Sequence, residues 1–266
     1  MGKIIAIANQ KGGVGKTTTC INLGVGLARQ KKKVLIIDLD PQGNTTQSLG
    51  YDPDVMEVTV SDVLERIIAK DYAITANYGI LHSLENVDLL PANIELATME
   101  MKLLSVFIGR EKILAKYIQM VVDIYDFIII DCKPSLDIIT LNALTAADSV
   151  LIPVQAQFYS VKGLEQLLNT ISQVVSGGLN ERLMIDGILL TLANPQTNNF
   201  KEIRQVVEKA YGQHITVYKT YIPRAVTAEE APAAGMSIYL YDGTGKVALA
   251  YEEFTKEFIK GGGENE

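Results

Sequence analysis

One stretch constrains this chain more than any other: Lys11-Gly12-Gly13-Val14-Gly15-Lys16-Thr17-Thr18. It follows the small apolar run Ile4 to Ala8 and opens a helical pattern near Lys16. A strand, a glycine-rich loop and a helix in this order are the context of a phosphate-binding loop. Gly12, Gly13 and Gly15 lack a Cβ, so the loop can turn and bring backbone N–H groups, Val14 among them, against phosphate oxygens. The helix adds its positive N-terminal end. At this spacing Lys16 reaches the β- and γ-phosphates, the Thr17 hydroxyl ligates Mg²⁺, and Thr18 lies beside the α-phosphate.

Such a loop needs a parallel sheet to carry it. Apolar runs rich in Ile, Val and Leu alternate with helical stretches, the pattern of a doubly wound, mainly parallel α/β sheet with helices on both faces. The predicted strands are Lys3–Asn9, Val34–Asp38, Phe127–Asp131, Ser149–Val154, Met184–Leu190 and the shorter Val217–Tyr221. The predicted helices are Thr17–Gln30, Val60–Ala69, Ile94–Phe107, Glu111–Ile124, Ile138–Ala146, Lys162–Val175, Phe200–Tyr211 and Lys246–Ile259. In the sixth of these, Leu164, Leu167, Leu168, Ile171 and Val175 recur at helical spacing and read as core. With no repeat and no proline-rich linker, residues 1–260 read as one domain and 261–266 as a frayed tail. The segment around Tyr72, Tyr78 and His82 carries no functional signal, nor does His214.

In an open α/β sheet the ligand sits outside the carboxyl ends of the strands. Two acidic motifs lie there. In Asp38-Leu39-Asp40-Pro41-Gln42-Gly43-Asn44, alternate residues of an extended chain point the same way, so Asp38 and Asp40 are both expected to face the phosphates. The bland alternative is that both cap the following turn. Phe127-Ile128-Ile129-Ile130-Asp131 is an apolar strand ending in a carboxylate, which suits Asp131 to hold Mg²⁺ through water. Cys132 reads as a packed small residue rather than a nucleophile, since no His is close in sequence.

Composition removes several classes. No apolar run spans a bilayer, and the N-terminus enters Lys3-Ile4-Ile5 without a signal-peptide pattern, so a cytoplasmic protein is expected. Two cysteines, Cys20 and Cys132, far apart, are no disulfide framework or zinc cluster. The net charge of −7 is not that of a general polyanion binder, so nucleic-acid contact needs a local basic patch.

Lys11 adds a second lysine at the start of the loop. The segment resembles the deviant Walker A loop, KGGVGKTT, of the ParA/MinD ATPases. The resemblance extends over nearly the whole chain: Leu141-Asn142-Ala143-Leu144, Pro153-Val154-Gln155 before Phe158-Tyr159, Thr220-Tyr221-Ile222-Pro223-Arg224, and Glu229 to Gly235. It is similar to the small ParA/Soj partition ATPases, and a first strand at Lys3 leaves no room for the operator-binding domain of the larger forms. The resemblance implies ATP and Mg²⁺ as cofactors and a homodimer when ATP is bound. Lys11 then crosses to the partner's nucleotide and acts with Lys16 in catalysis, Asp40 orients the attacking water, and Asp38 supports the magnesium shell beside Thr17 and Asp131. The Asn194-Pro195 and Ile222-Pro223-Arg224 loops would flank the adenine, or else are ordinary strand-end turns. It also implies nonspecific DNA binding, hence nucleoid association, and a ParB-like activator that stimulates slow hydrolysis.

The chain departs from the pattern in two places. Lys133 replaces the first of two prolines after the Walker B Asp131, as either a tolerated loop change or a cation altering the γ-phosphate switch. Gln196 and Thr227 stand where relatives often carry DNA-binding arginines, which weakens the expected affinity and flattens its salt dependence. Lys201, Arg204, Lys209, Lys219 and Arg224 could form a replacement patch, or Lys201 and Arg204 could be a solvated helix face. The main rival is a MinD-like ATPase acting at a membrane without DNA. Its basic terminal helix is not matched by Glu252, Glu253, Lys256, Glu257 and Lys260. A reductase like the nitrogenase iron protein would need two cysteines at the dimer axis. A protein that binds ATP with negligible turnover is the third rival.

Overall fold

The computed structural model describes residues 2–71, 73–157 and 160–261, without the side chains of 160–163. Tyr72, the Phe158-Tyr159 signature and the expected tail beyond Gly261 lie outside the described residues. Eight strands form one sheet in the order β3-β4-β2-β5-β1-β6-β7-β8. They are β1 (Lys3–Ile7), β2 (Val34–Leu39), β3 (Leu81–His82), β4 (Asp88–Leu90), β5 (Phe127–Cys132), β6 (Ser149–Gln155), β7 (Met184–Ala193) and β8 (Val217–Pro223). All pair in parallel except β3, which runs antiparallel to β4 at the edge.

Alternation in β1 shows why both faces are covered. Ile4 and Ala6 join one core while Ile5 and Ile7 join the other. The first core packs under α3 (Val60–Ile68), α4 (Leu96–Ser105), α5 (Ile113–Val121), α6 (Ile138–Ala146), α7 (Ser160–Ser176) and α8 (Asn198–Tyr211). The second packs under α1 (Lys16–Arg29), α10 (Ile238–Tyr241) and α11 (Lys246–Gly261). Apolar residues thus face helices on both sides, as a doubly wound sheet requires. The predicted helical stripe in α7 is core: Leu164, Leu167 and Ile171 are buried and Leu168 and Val175 pack against them.

Three differences from the sequence reading have local causes. The helices expected over 94–107 and 111–124 are shorter: Val106 is extended after α4, and a 3₁₀ turn, Arg110–Lys112, entered through Gly109 at φ 75°, precedes α5. β3 and β4 fall where no strand was expected, since strands this short carry too few alternations to register. Besides the four-residue α10, two small helices, α2 (Asn44–Ser48) and α9 (Thr227–Glu230), were also unforeseen. They are too short and polar to show a helical period, and both border the site.

Candidate active site

The first strand ends beside a cleft of about 660 Å³. Its walls come from the loop before α1 (Gly12, Gly13, Gly15, Lys16), from Asp40 and α2, from Pro134 after β5, and from Leu192, Ile222 and Pro223 at the ends of β7 and β8. Gly13 and Gly15 take φ of 70° and 81°, the left-handed region that glycine enters without strain. A Cβ at Gly12 or Gly13 would meet no atom within 4 Å, so the loop's inner side is open to a ligand.

Lys16 is 7% exposed, and its ammonium donates to the Lys11 carbonyl at 3.2 Å. Burial lowers its pKa, while Asp131 pulls it back up. Lys11 is held from two sides. Its N–H donates to Asn9 Oδ1 at 2.9 Å and its Nζ to Gln155 Oε1 at 3.3 Å. Asn9 in turn donates to the Pro153 carbonyl at 2.7 Å, so the Pro153-Val154-Gln155 signature positions the loop. Across the loop, Thr191 Oγ1 donates to the Val14 carbonyl at 2.7 Å.

The carboxylates form the floor. β2 pairs with β5 so that Asp38 stands opposite Asp131. Asp131 Oδ2 accepts from Thr17 Oγ1 and Thr45 Oγ1, both at 2.7 Å. Its Oδ1 is buried without a hydrogen-bond partner. Asp38 Oδ2 accepts from Thr46 N at 3.0 Å and Thr46 Oγ1 at 2.8 Å, and its Oδ1 from Asp40 N at 3.1 Å. Burial raises both acids, Asp38 to about 7, with Asp131's charge adding to the rise, and Asp131 to about 6. Of the two acids in the first motif only Asp40 reaches the cleft wall, where it accepts from Gln42 N at 3.0 Å. Asp38 is fully buried and does not line the cleft, so the two acids expected to face the phosphates together sit at different depths.

The structure separates the residues expected near the base. Pro223 lines the cleft with Ile222, Ala228, Pro232 and Ala233, the last three from the Glu229 to Gly235 signature and its approach. Asn194 is exposed, its carbonyl accepting from Thr197 N at 3.1 Å and Oγ1 at 2.8 Å. The Arg224 side chain is 72% exposed, 3.6 Å from Glu229. Leu192 takes φ 51°, a conformation rare for a bulky residue, at the cleft wall. Thr45, Thr46, Thr191 and Leu192 were not anticipated. The Thr-Thr pair directly after the acidic turn was the available signal for the first two. Thr191 and Leu192 had none.

Lys133 does not point at the phosphate loop. Its Nζ lies 2.6 Å from Asp137 and 2.9 Å from Glu100 of α4. Cys20 and Cys132 are buried, and burial pushes both thiols up, as packed residues require. Among the described residues no helix is long and apolar enough to cross a membrane.

A parallel sheet carrying a glycine-rich loop at β1, with acids ending β2 and β5 beside it, defines a P-loop nucleotide-binding protein of the deviant Walker A type. Residues 2–185 match a family model described as an AAA domain. The chain is 47% identical over 262 residues to the sporulation initiation inhibitor protein Soj of Bacillus subtilis (strain 168), spanning 98% of this chain and 100% of that protein. It is 40% identical over 261 residues to the chromosome-partitioning ATPase Soj of Treponema pallidum (strain Nichols), covering 97% and 98%. The chain therefore belongs to the Soj/ParA family of chromosome-partitioning ATPases. Among solved structures it is similar to cobyrinic acid a,c-diamide synthase from Mycobacterium smegmatis with bound ADP and magnesium, at a TM-score of 0.85 and 36% identity, covering 100% of this chain and 97% of that one.

Proposed function

We propose that this single-domain protein hydrolyses ATP in a cycle of dimerisation that positions or segregates DNA. The observation that carries the reading is Asp131 Oδ1, a buried carboxylate oxygen without a partner beside the Thr17 hydroxyl. A second buried acid, Asp38, stands next to it in register. Two adjacent buried carboxylates with raised pKa values and an unused oxygen suit a divalent cation. Thr17 and Asp131 would hold Mg²⁺, with Asp38 behind them. When bound, the ion neutralises charge on the β- and γ-phosphates.

The chain's own residues do the rest. The N–H groups of Gly12 to Thr18 cradle the phosphates, and Lys16 meets the β- and γ-oxygens. Asp40, on the cleft wall, orients the attacking water. Lys11 crosses to the nucleotide of a second copy and offsets charge on the transferring group. Pro223 packs against the adenine, with Asn194 and Arg224 flanking its outer edge.

Nonspecific DNA is the proposed track and a ParB-like protein the activator. Lys201, Lys209 and Lys219 are exposed, which supports a basic patch on α8 and β8. Arg204 contributes less, since it is bound to Glu208 at 2.8 Å and to the Lys219 carbonyl at 3.1 Å. Gln196 and Thr227 leave the patch weaker than two arginines would. Lys256 of α11 is paired with Glu252 at 2.9 Å, so the helix offers anionic lipid little net attraction.

The deciding experiment is binding to random-sequence duplex DNA with ATP, with ADP and without nucleotide across a salt series. ATP-specific binding that weakens with salt is expected. Absence of binding at low salt, in a protein that still dimerises with ATP, would sink the DNA reading in favour of a MinD-like scaffold. In parallel, Lys11→Ala is expected to bind nucleotide without dimerising. Normal ATP-dependent dimerisation of that variant in sedimentation would refute the cross-dimer role.

A further inference from the structure

The loop from Cys132 to Asp137 connects the floor of the cleft to α6. At its start, Asp131 is gripped by Thr17 and Thr45, and Pro134 lines the cleft. At its end, Asp137 caps α6 by accepting from Ile139 N at 3.0 Å and Thr140 N at 3.3 Å. Ser135 Oγ donates to Asp137 at 2.6 Å, and Thr140 Oγ1 donates to the Ser135 carbonyl at 2.7 Å. The loop is therefore internally braced and moves most readily as a unit.

Lys133 is the residue that ties this unit to something else. Its side chain is 12% exposed, and it bridges Asp137 of the loop and Glu100 of α4, whose side chains are 22% and 31% exposed. Two carboxylates converging on a mostly covered point repel one another unless a cation stands between them. α4 is seated on the core through Leu96, Met99 and Leu103. Glu100, which lies between them in sequence, is its ionic link to the loop.

We propose that Lys133 is a positioning residue that couples α4 to the occupancy of the cleft, through the Lys133–Glu100 pair. The inference rests on the nucleotide-binding reading above. A nucleotide touching Pro134 and the groups around Asp131 shifts the braced loop, and the ion pair carries that shift to α4. Coupling of this kind needs two arrangements of one packed element, each favoured by one state of the site.

The test is hydrogen exchange of the 96–105 segment in the full-length protein, with and without the non-hydrolysable analogue AMP-PNP and Mg²⁺. Exchange in the wild type is expected to change on nucleotide addition by roughly three- to tenfold, the range that contacting residues command. Lys133→Gln and the milder Glu100→Gln lose most of this response while binding a fluorescent ADP within about threefold of wild type, and the double variant is no worse than either single one. Lys133→Arg keeps the response. A response in Lys133→Gln equal to wild type, or a wild type that binds nucleotide with α4 unchanged, overturns the inference alone. A wild type that binds no nucleotide overturns the functional reading and this inference with it.

Discussion

The phosphate side of the cleft and the side formed by β7, β8 and α9 hold their residues in different ways. On the phosphate side, charged and hydroxyl groups are locked by partners on other elements. Lys16 bonds the Lys11 carbonyl, Thr17 and Thr45 bond Asp131, and Thr46 bonds Asp38 while its Oγ1 accepts from Ala92 N at 3.0 Å. On the other side the wall is Leu192, Ile222, Pro223, Ala228, Pro232 and Ala233, with the carboxylate of Glu229 exposed rather than buried among them. A buried charge is costly unless its partners are fixed, so that side tolerates little change. An apolar wall needs only a surface of the right shape, and its polar neighbours Asn194 and Arg224 stay in solvent. The strained Leu192 is the exception, a backbone outlier at the wall where a ligand's ring would lie.

The largest effect that would sharpen this contrast is Lys16→Ala. Removing the one buried ammonium at the loop should weaken nucleotide binding by more than about a hundredfold, the scale of two charge-assisted bonds. A fluorescent-ADP titration measures it, and a loss under about tenfold would mean the apolar wall carries most of the affinity. Next comes Thr45→Val, which leaves Asp131 with one donor. It should lower stability by about 1–3 kcal/mol in metal-free urea unfolding near neutral pH. An unchanged midpoint would show that Asp131 does not rely on α2.

Smaller effects belong to the second side. Glu257 of α11 supports β8 by accepting from Lys219 N at 2.7 Å and Thr220 N at 2.9 Å. Burial pushes this carboxyl up, but the bonds from Thr220 and Lys219 outweigh it and hold it below the ordinary glutamate value. Since the folded value is the lower one, the contribution is present above the unfolded value and is lost as pH falls through the folded one. The urea midpoints of wild type and Glu257→Gln should differ at about pH 6 and converge by about pH 3. A gap that stayed constant would rule out the ionised form as the source. The smallest change is expected of Arg224→Ala, whose side chain is largely exposed and only loosely near Glu229. Nucleotide affinity should stay within about twofold, the scale of an exposed pair. A larger loss would bring Arg224 into the site and weaken the contrast.

The two sides also differ in how far they could be read from the chain. Lys11 to Thr18, Asp40 and Asp131 are short motifs in which residue type and spacing are the chemistry; Gly12, Gly13, Gly15, Lys16, Thr17, Thr18 and Asp40 line the cleft, and Asp131 is bonded to Thr17 behind it. Pro223 was placed by resemblance and lines the wall, while Asn194 and Arg224 are exposed and are not among its lining residues. Thr191 was invisible, because nothing local distinguishes a threonine that bonds Val14 from one that fills a strand. The doubt over Lys133 was of the same kind. A lysine in a loop after an acidic strand end says nothing about Glu100, which lies 33 residues earlier.

From the sequence alone came the parallel sheet with helices on both faces, the phosphate loop after β1, and the acids at two strand ends. Each is encoded over a few neighbouring residues, in the period of apolar side chains or in glycines that free a loop. The tertiary structure alone decided that β5 lies between β2 and β1, setting Asp38 opposite Asp131. It also brought Thr45 to Asp131 across 86 residues and Lys133 to Glu100. Strand order and long-range side-chain pairs depend on which faces of distant segments bury each other, and no local period records that choice.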